Sequence, residues 1–277
     1  MLFFEIIKVI VLGIVEGVTE WLPISSTGHL ILLDEIIRLR VSEDFMSVFT
    51  VVIQLGAILA VAVIFFERLN PFSSRKGRAE RVATRNLWGK VLVGSVPAAV
   101  LGLLLDDLID RYFFNYIVVA IALIIYGFAF IFLEKNKAES KNDEKSLDLI
   151  TYSDALKIGL FQSLSLIPGT SRSGSTILGG MIIGVSRFAA AEFSFFMAIP
   201  IMLGASSLKI FKFALSGFTA TTEELLFLIV GVAVSFLVSL VVIRFLMDYV
   251  KRHGFKIFGY YRIILGIAVL IYFFLKQ

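Results

Sequence analysis

The stretch LGIVEGVTEWLPISSTGHL, residues 12–30, decides how this chain is built. It is apolar at its edges, acidic in the middle, broken by Pro23, and it has a second copy. IGLFQSLSLIPGTSRSGST, residues 158–176, repeats it at a shift of 146 positions, pairing Gly13 with Gly159, Glu16 with Gln162, Ser25 with Ser171 and Gly28 with Gly174. A second echo follows, in which Asp44-Phe45 and Leu55-Gly56-Ala57 parallel Glu192-Phe193 and Leu203-Gly204-Ala205. Repeats whose broken helices carry polar residues point to a binding site near the bilayer midplane.

The rest of the chain supplies the membrane. Its 277 residues are 58% hydrophobic and only 17% charged, with mean hydropathy +0.91. Apolar runs occupy 45–66, 91–105, 112–133, 188–208, 225–243 and 260–275. Most are long enough to cross a hydrocarbon core of about 30 Å as helices. The run 91–105 is short and holds Pro97, which predicts a kinked helix or one buried in the bundle. The fold class is therefore an all-α polytopic membrane protein of about six transmembrane helices plus two re-entrant helical hairpins. Residues 1–135 form a first repeat, 136–153 a polar cytoplasmic linker, and 154–277 a second, inverted repeat.

The net charge of +4 does not point to nucleic acid, because the basic residues cluster in loops beside apolar spans. Arg68, Arg75, Lys76, Arg78, Arg81, Arg85 and Lys90 fill one loop, five lysines and six acids share the insert 134–157, and Lys251, Arg252 and Lys256 mark a third. The connections 106–111 and 209–224 are poorer in basic residues. With the three richer loops in the cytoplasm both termini lie outside, and each half contributes three crossings, so the second half is inverted. The motif segments then go in and come back. Residues 6–21 and 27–37 are short for full spans, which favours re-entrant hairpins. There is no cysteine, which excludes disulfide and thiolate chemistry. The amino terminus lacks the basic leader and cleavage site of a signal peptide.

Glu16 and Glu20 are four apart, so a helix sets both carboxylates on one face. Two such groups in a membrane call for a divalent metal, a facing arginine or a shared proton. Pro23 stops that helix, and Ser25, Ser26 and Thr27 are natural caps for a new one beginning near Gly28. His29 falls in its first turn, while His253 sits in a basic loop as a solvated residue. In the second copy, Gly169, Thr170, Ser171, Ser173, Ser175 and Thr176 bring backbone N–H groups and hydroxyls to a helix start able to surround an anion. Arg172 adds a planar fork suited to phosphate oxygens. An ion pair of Arg172 with Glu16 or Glu20 is the plain structural alternative. Acids with a metal, plus a phosphate-clamping arginine, describe a phosphoryl-transfer site.

EGVTEWLPISSTGH (16–29) and PGTSRSGST (168–176), in this order and separation, resemble the two signature motifs of the bacterial undecaprenyl-diphosphate phosphatase family, the BacA/UppP bacitracin-resistance proteins. The resemblance extends through VVIQLGAILAV (51–61) and AAEFSFFMAIP (190–200), with no departure at the motif positions. It implies a membrane hydrolase that converts undecaprenyl diphosphate to undecaprenyl phosphate, recycling the carrier lipid for cell-wall synthesis. It also implies a divalent cation (Mg2+ or Ca2+) and an active site on the extracytoplasmic side of the bacterial plasma membrane. Carried over, Glu16 and Glu20 hold the metal or position the attacking group, and Arg172 holds the diphosphate. His29 is acid/base or nucleophile, and Ser26 contacts the phosphate or attacks it. Ser25, Thr27, Gly169, Thr170, Ser171, Ser173 and Thr176 line the substrate site. Ser26, His29 and a water on the metal all remain candidates for the attacking group, with Ser26 assisted by His29 preferred. The partners are a polyprenyl diphosphate and the bilayer, with no nucleic acid, and a homodimer is compatible with the sequence.

Two rival readings use the same residues. An inverted-repeat transporter or lipid flippase for an anionic substrate shares the interrupted helices. A phosphohistidine lipid phosphatase would need a second histidine after the arginine motif, where this chain has only His253 in a basic loop.

Overall fold

The computed structural model describes residues 2–113, 115–139, 144–215 and 220–276. Eleven α-helices appear among them: α1 (Leu2–Thr19), α2 (Ser26–Ile36), α3 (Glu43–Ile64), α4 (Phe66–Leu69), α5 (Arg78–Phe113), α6 (Tyr116–Glu139), α7 (Tyr152–Ser163), α8 (Arg172–Ile182), α9 (Arg187–Leu215), α10 (Thr222–Arg252) and α11 (Lys256–Lys276). Six of the described helices, α3, α5, α6, α9, α10 and α11, are long and apolar enough to cross a membrane. The four motif helices are shorter: α1 has 18 residues, α2 11, α7 12 and α8 11. At 1.5 Å per residue, 11 residues reach only about half of a 30 Å hydrocarbon core.

Helix ends follow local chemistry. Ser42 caps α3 by accepting from the Phe45 N–H at 3.1 Å. Thr151 with Asp154, and Thr221 with Glu224, form capping boxes at the starts of α7 and α10. One sequence expectation needs correction. The run 91–105 is not a short span, because α5 is a continuous 36-residue helix with Pro97 inside it, and residues 78–105 qualify as a span. The charged residues 78–90 that hid it form helix turns at the aqueous end. Likewise 106–111 continues α5, and Lys209 and Lys212 belong to α9. The C-terminal part of the 134–157 insert is docked rather than free. Leu147 is buried, and the backbone of Lys145 bonds to Gly184 and Ser186.

The central element is α9. Its span is 67% buried, against 28% for α5, α10 and α11. Phe193, Phe195, Phe196 and Met197 of α9 meet Trp21 and Ile24 of the first interruption and Ile177 and Leu178 of α8 in one core. The outer helices turn large apolar side chains outward, including Phe128, Phe132, Ile229, Val241 and Phe274. An apolar exterior over a polar centre is what a lipid solvent selects.

Close helix contacts are made through glycine. α1 lies on α10, where a Cβ at Gly17 would stand 2.8 Å from the Ser235 carbonyl. α7 lies on α5, where Gly159 faces the Gly94 carbonyl too closely for any side chain. α6 and α11 approach reciprocally, each of Gly127 and Gly259 placing a would-be Cβ 2.7 Å from the other's carbonyl oxygen. The first helix of each motif pair, α1 or α7, thus rests on a long helix of the other half. Small residues are the usual means of such approach in membranes. Gly159→Ala is expected to lower the thermal midpoint in detergent, in line with an overpacking cost of about 1–3 kcal/mol. Gly204→Ala, whose added Cβ meets nothing within 4 Å, should not lower it. Differential scanning fluorimetry of the two variants beside wild type tests the seam.

Candidate functional site

Both interruptions have the same construction. In the first, Leu22 and Pro23 break the helix, the Ile24 N–H turns back to the Leu22 carbonyl at 2.8 Å, and α2 begins at Ser26. In the second, α7 ends at Ser163, a 3-10 turn spans Leu164–Leu166, and α8 begins at Arg172. The N-caps are Ser25 and Ser171, at φ 72° and 73°, with side chains that accept from the Gly28 and Gly174 N–H groups at 3.3 and 3.1 Å. Among the described residues these two serines are the non-glycine positions with positive φ. The matched pairs Ser25/Ser171 and Gly28/Gly174 of the sequence repeat are therefore one capping device used twice. A serine at positive φ costs about 1–2 kcal/mol, so the surrounding structure imposes it.

Arg172 opens α8 and reaches across to the first interruption. Its Nη2 and Nε donate to Glu20 Oε1 at 3.0 and 3.3 Å, with both side chains nearly buried. Nη1 donates to the Ser194 carbonyl of α9 at 2.9 Å, and the guanidinium lies 5.6 Å from the Trp21 ring centroid. The other oxygen of Glu20 accepts from Ser26 Oγ at 3.3 Å. Ser173 Oγ lies 3.1 Å from the Glu20 carbonyl and 3.3 Å from that of Leu22, where it donates, tying α8 to the first interruption. Glu20, Ser26 and Arg172 are thus brought together.

The remaining candidates separate from this centre. Glu16 lies one turn before Glu20 and is fully buried, and both its carboxylate oxygens lack a hydrogen-bond partner among the described residues. Gln162, its counterpart in the repeat, is equally buried and unpartnered. His29 is not bonded to Ser26. Its Nδ1 lies 2.7 Å from the Ser25 carbonyl and its Nε2 2.7 Å from the Tyr261 hydroxyl. The hydroxyl of Ser26 is partnered by Glu20 instead, which bears directly on the preferred pairing of Ser26 with His29. Ser175 Oγ donates to the Ser171 carbonyl at 3.0 Å, and Thr176 Oγ1 to that of Arg172 at 2.9 Å, so both brace the start of α8. Gly169 has φ 90° and no room for a Cβ against Val119. The backbone of Thr27 is in α2; its side chain lies outside the described residues. His253 is the exposed C-cap of α10, stacked on Tyr249.

Four contributors went unread in the sequence. Trp21 and Ser194 touch Arg172 but look like ordinary residues of apolar segments. Tyr261 and Arg262 lie inside the apolar run 260–275, whose overall hydropathy masks them. An ionisable group within a membrane segment is itself a pointer to function, and that rule would have flagged Arg262.

Fold and site define a polytopic helical membrane protein with a carboxylate–guanidinium centre between two interrupted helix pairs. The family description "Bacitracin resistance protein BacA" matches residues 9–268, and the chain belongs to that family. Undecaprenyl-diphosphatase 1 of Clostridioides difficile (strain 630) is 59% identical over 271 residues, covering 98% of this chain and 97% of that protein. Undecaprenyl-diphosphatase of Enterococcus faecalis (strain ATCC 700802 / V583) is 56% identical over 271 residues, 98% of each. The protein of that name from Streptococcus mutans serotype c (strain ATCC 700610 / UA159) is 56% identical over 277 residues, 100% of this chain and 99% of its own length.

The shared cap yields a direct test. Ser171→Gly loses the cap bond but relieves the positive φ, whereas Ser171→Ala loses the bond and keeps the strain. The alanine variant should be the less stable by about 1 kcal/mol, read as the lower midpoint of two parallel thermal melts.

Proposed function

We propose that this protein hydrolyses undecaprenyl diphosphate to undecaprenyl phosphate and inorganic phosphate. Such a reaction returns the carrier lipid to cell-wall synthesis and opposes bacitracin. The observation that carries the reading is the contact of Glu20 and Arg172, one from each motif, beside the Ser26 hydroxyl. The family and its named relatives supply the substrate class. A transporter reading has no support among those relatives.

At rest Glu20 neutralises Arg172. A diphosphate entering beside them offers the guanidinium fork a dianionic partner, which frees Glu20 to act as a base. Ser26 Oγ already directs its proton to Glu20 Oε2, so it is the attacking group we favour. Its oxygen bonds to the terminal phosphorus, its proton passes to Glu20, and the bond from that phosphorus to the bridging oxygen breaks. Undecaprenyl phosphate leaves. Water then cleaves the phosphoserine, releasing phosphate and restoring the hydroxyl. The N–H groups and positive end of α8 face the charge that develops on phosphoryl oxygens.

The residues fit a divalent cation, Mg2+ or Ca2+. Glu16 carries two unsatisfied carboxylate oxygens in a fully buried position, which calls for a counter-charge. Glu16 with Glu20 would hold the ion. No group of three His, Cys, Asp or Glu ligands occurs among the described residues, so substrate oxygens would complete the shell, as is usual for Mg2+. When bound, the ion neutralises phosphoryl charge.

We also read the two halves as inverted, with re-entrant motif pairs. The reciprocal seating of α1 on α10 and α7 on α5 supports this. The three basic loops then put the mouth of the first pair, and the catalytic face, on the extracytoplasmic side.

Purified protein in detergent should release phosphate from undecaprenyl diphosphate, and a chelator should stop it; no release from a folded sample overturns the reading. Arg172→Ala should lower kcat/KM by about 100-fold or more in a protein that still folds, at a lower thermal midpoint because Glu20 loses its buried counter-charge. Glu16→Gln should shift the half-maximal cation concentration upward, and an unmoved cation titration would remove Glu16 from the site.

A further inference from the structure

Arg262 is a fully buried charged side chain that the mechanism above does not use. It lies in α11 and has no carboxylate partner among its hydrogen bonds. Its Nη2 donates to the carbonyls of Gly169 and Thr170 at 2.9 and 2.8 Å, and its Nη1 to that of Pro23 at 3.1 Å. Nε points to the Leu123 carbonyl at 3.5 Å, and the guanidinium stands 5.3 Å from the Tyr126 ring centroid. One side chain therefore grips both interruptions by their backbone. These carbonyls belong to the irregular backbone between the helices, which has no helical partner to offer them.

The preceding residue holds the histidine. The Ser25 carbonyl can only accept, so Nδ1 of His29 carries the hydrogen. In the neutral ring Nε2 is then an acceptor, filled by the Tyr261 hydroxyl at 2.7 Å. The two rings are within 7° of parallel.

We propose that Tyr261 and Arg262, consecutive on α11, are the positioning residues of the site: Arg262 locks the two interruptions in register and Tyr261 fixes the tautomer of His29. Arg262 acts through geometry. Five donors in a rigid fork can serve several carbonyls at once, whereas a lysine ammonium keeps the charge but cannot span them. Glu20 and Ser26 stand on one side of that grip and Arg172 on the other, so a slip in register separates the base from the phosphate clamp. The proposal rests on the phosphatase reading for its activity measurements and is independent of it in its spectroscopic one.

The test uses full-length protein in detergent with undecaprenyl diphosphate as substrate. Arg262→Lys should lower kcat by about 100-fold while KM stays within about threefold, the signature of misplacement by about an ångström. A kcat within threefold of wild type, or a loss carried by KM alone, overturns the role of Arg262. Tyr261→Phe removes one hydroxyl from a side chain that is 43% exposed, so it should fold, and it decides the proposal alone if the lysine variant does not. In a His253→Asn background, labelling with 15N-histidine leaves His29 as the single imidazole. Its spectrum should show the Nδ1–H tautomer with a hydrogen-bonded Nε2, and Tyr261→Phe should shift the Nε2 resonance. An Nε2–H ring in the parent, or a spectrum unmoved by Tyr261→Phe, overturns it. If wild type releases no phosphate yet the tautomer appears and responds, the phosphatase reading fails and the positioning of His29 by Tyr261 stands.

Discussion

A helix that is interrupted in the interior of a packed bundle leaves backbone groups that need partners, and the architecture around both interruptions answers that constraint. Each new helix is capped by its own serine, Ser25 or Ser171. The carbonyls before the caps are satisfied from elsewhere. Arg262 takes those of Pro23, Gly169 and Thr170, and Ser173 serves Glu20 and Leu22. Each interruption is completed by parts of the other or of α11. The two halves therefore fold as one unit around a shared polar centre.

Charge is placed with the same economy. Glu20 and Arg172 neutralise each other in a setting where either alone would cost several kcal/mol. A buried ion pair adds little net stability compared with apolar packing, so its presence speaks for chemistry rather than for folding. The pair is also incomplete as a cage. Ser26 shares the carboxylate, and Arg172 is open to replace one oxyanion by another. Glu16 stands one turn away, with both carboxylate oxygens lacking a hydrogen-bond partner among the described residues. Elsewhere the buried ions are closed: Glu134 is filled by Arg187 and the Phe255 N–H, and Glu192 is paired with Arg68 at 2.9 Å.

Rigidity comes from packing. α9 is buried along most of its length, and its aromatic residues hold Trp21, which in turn carries the face of Arg172. Glycine seams bring α1 to α10, α7 to α5 and α6 to α11 at distances that admit no side chain. Such contacts resist sliding, which a site assembled from opposite halves of the chain requires.

The sequence by itself determined the solvent, most of the spans, both interruptions and the chemical types at the centre. Hydropathy, proline and capping residues act over a few positions, so they are legible there. The repeat at a shift of 146 positions pairs Ser25 with Ser171, and the structure makes both of them N-caps. Helical spacing put Glu16 and Glu20 on one face, but it could not say that one would meet Arg172 and the other nothing. That split, the transfer of Ser26 from His29 to Glu20, and the grip of Arg262 on two distant loops depend on which helices lie side by side. Glu20 and Arg172 are 152 residues apart, and only the tertiary packing of the halves brings them within a hydrogen bond.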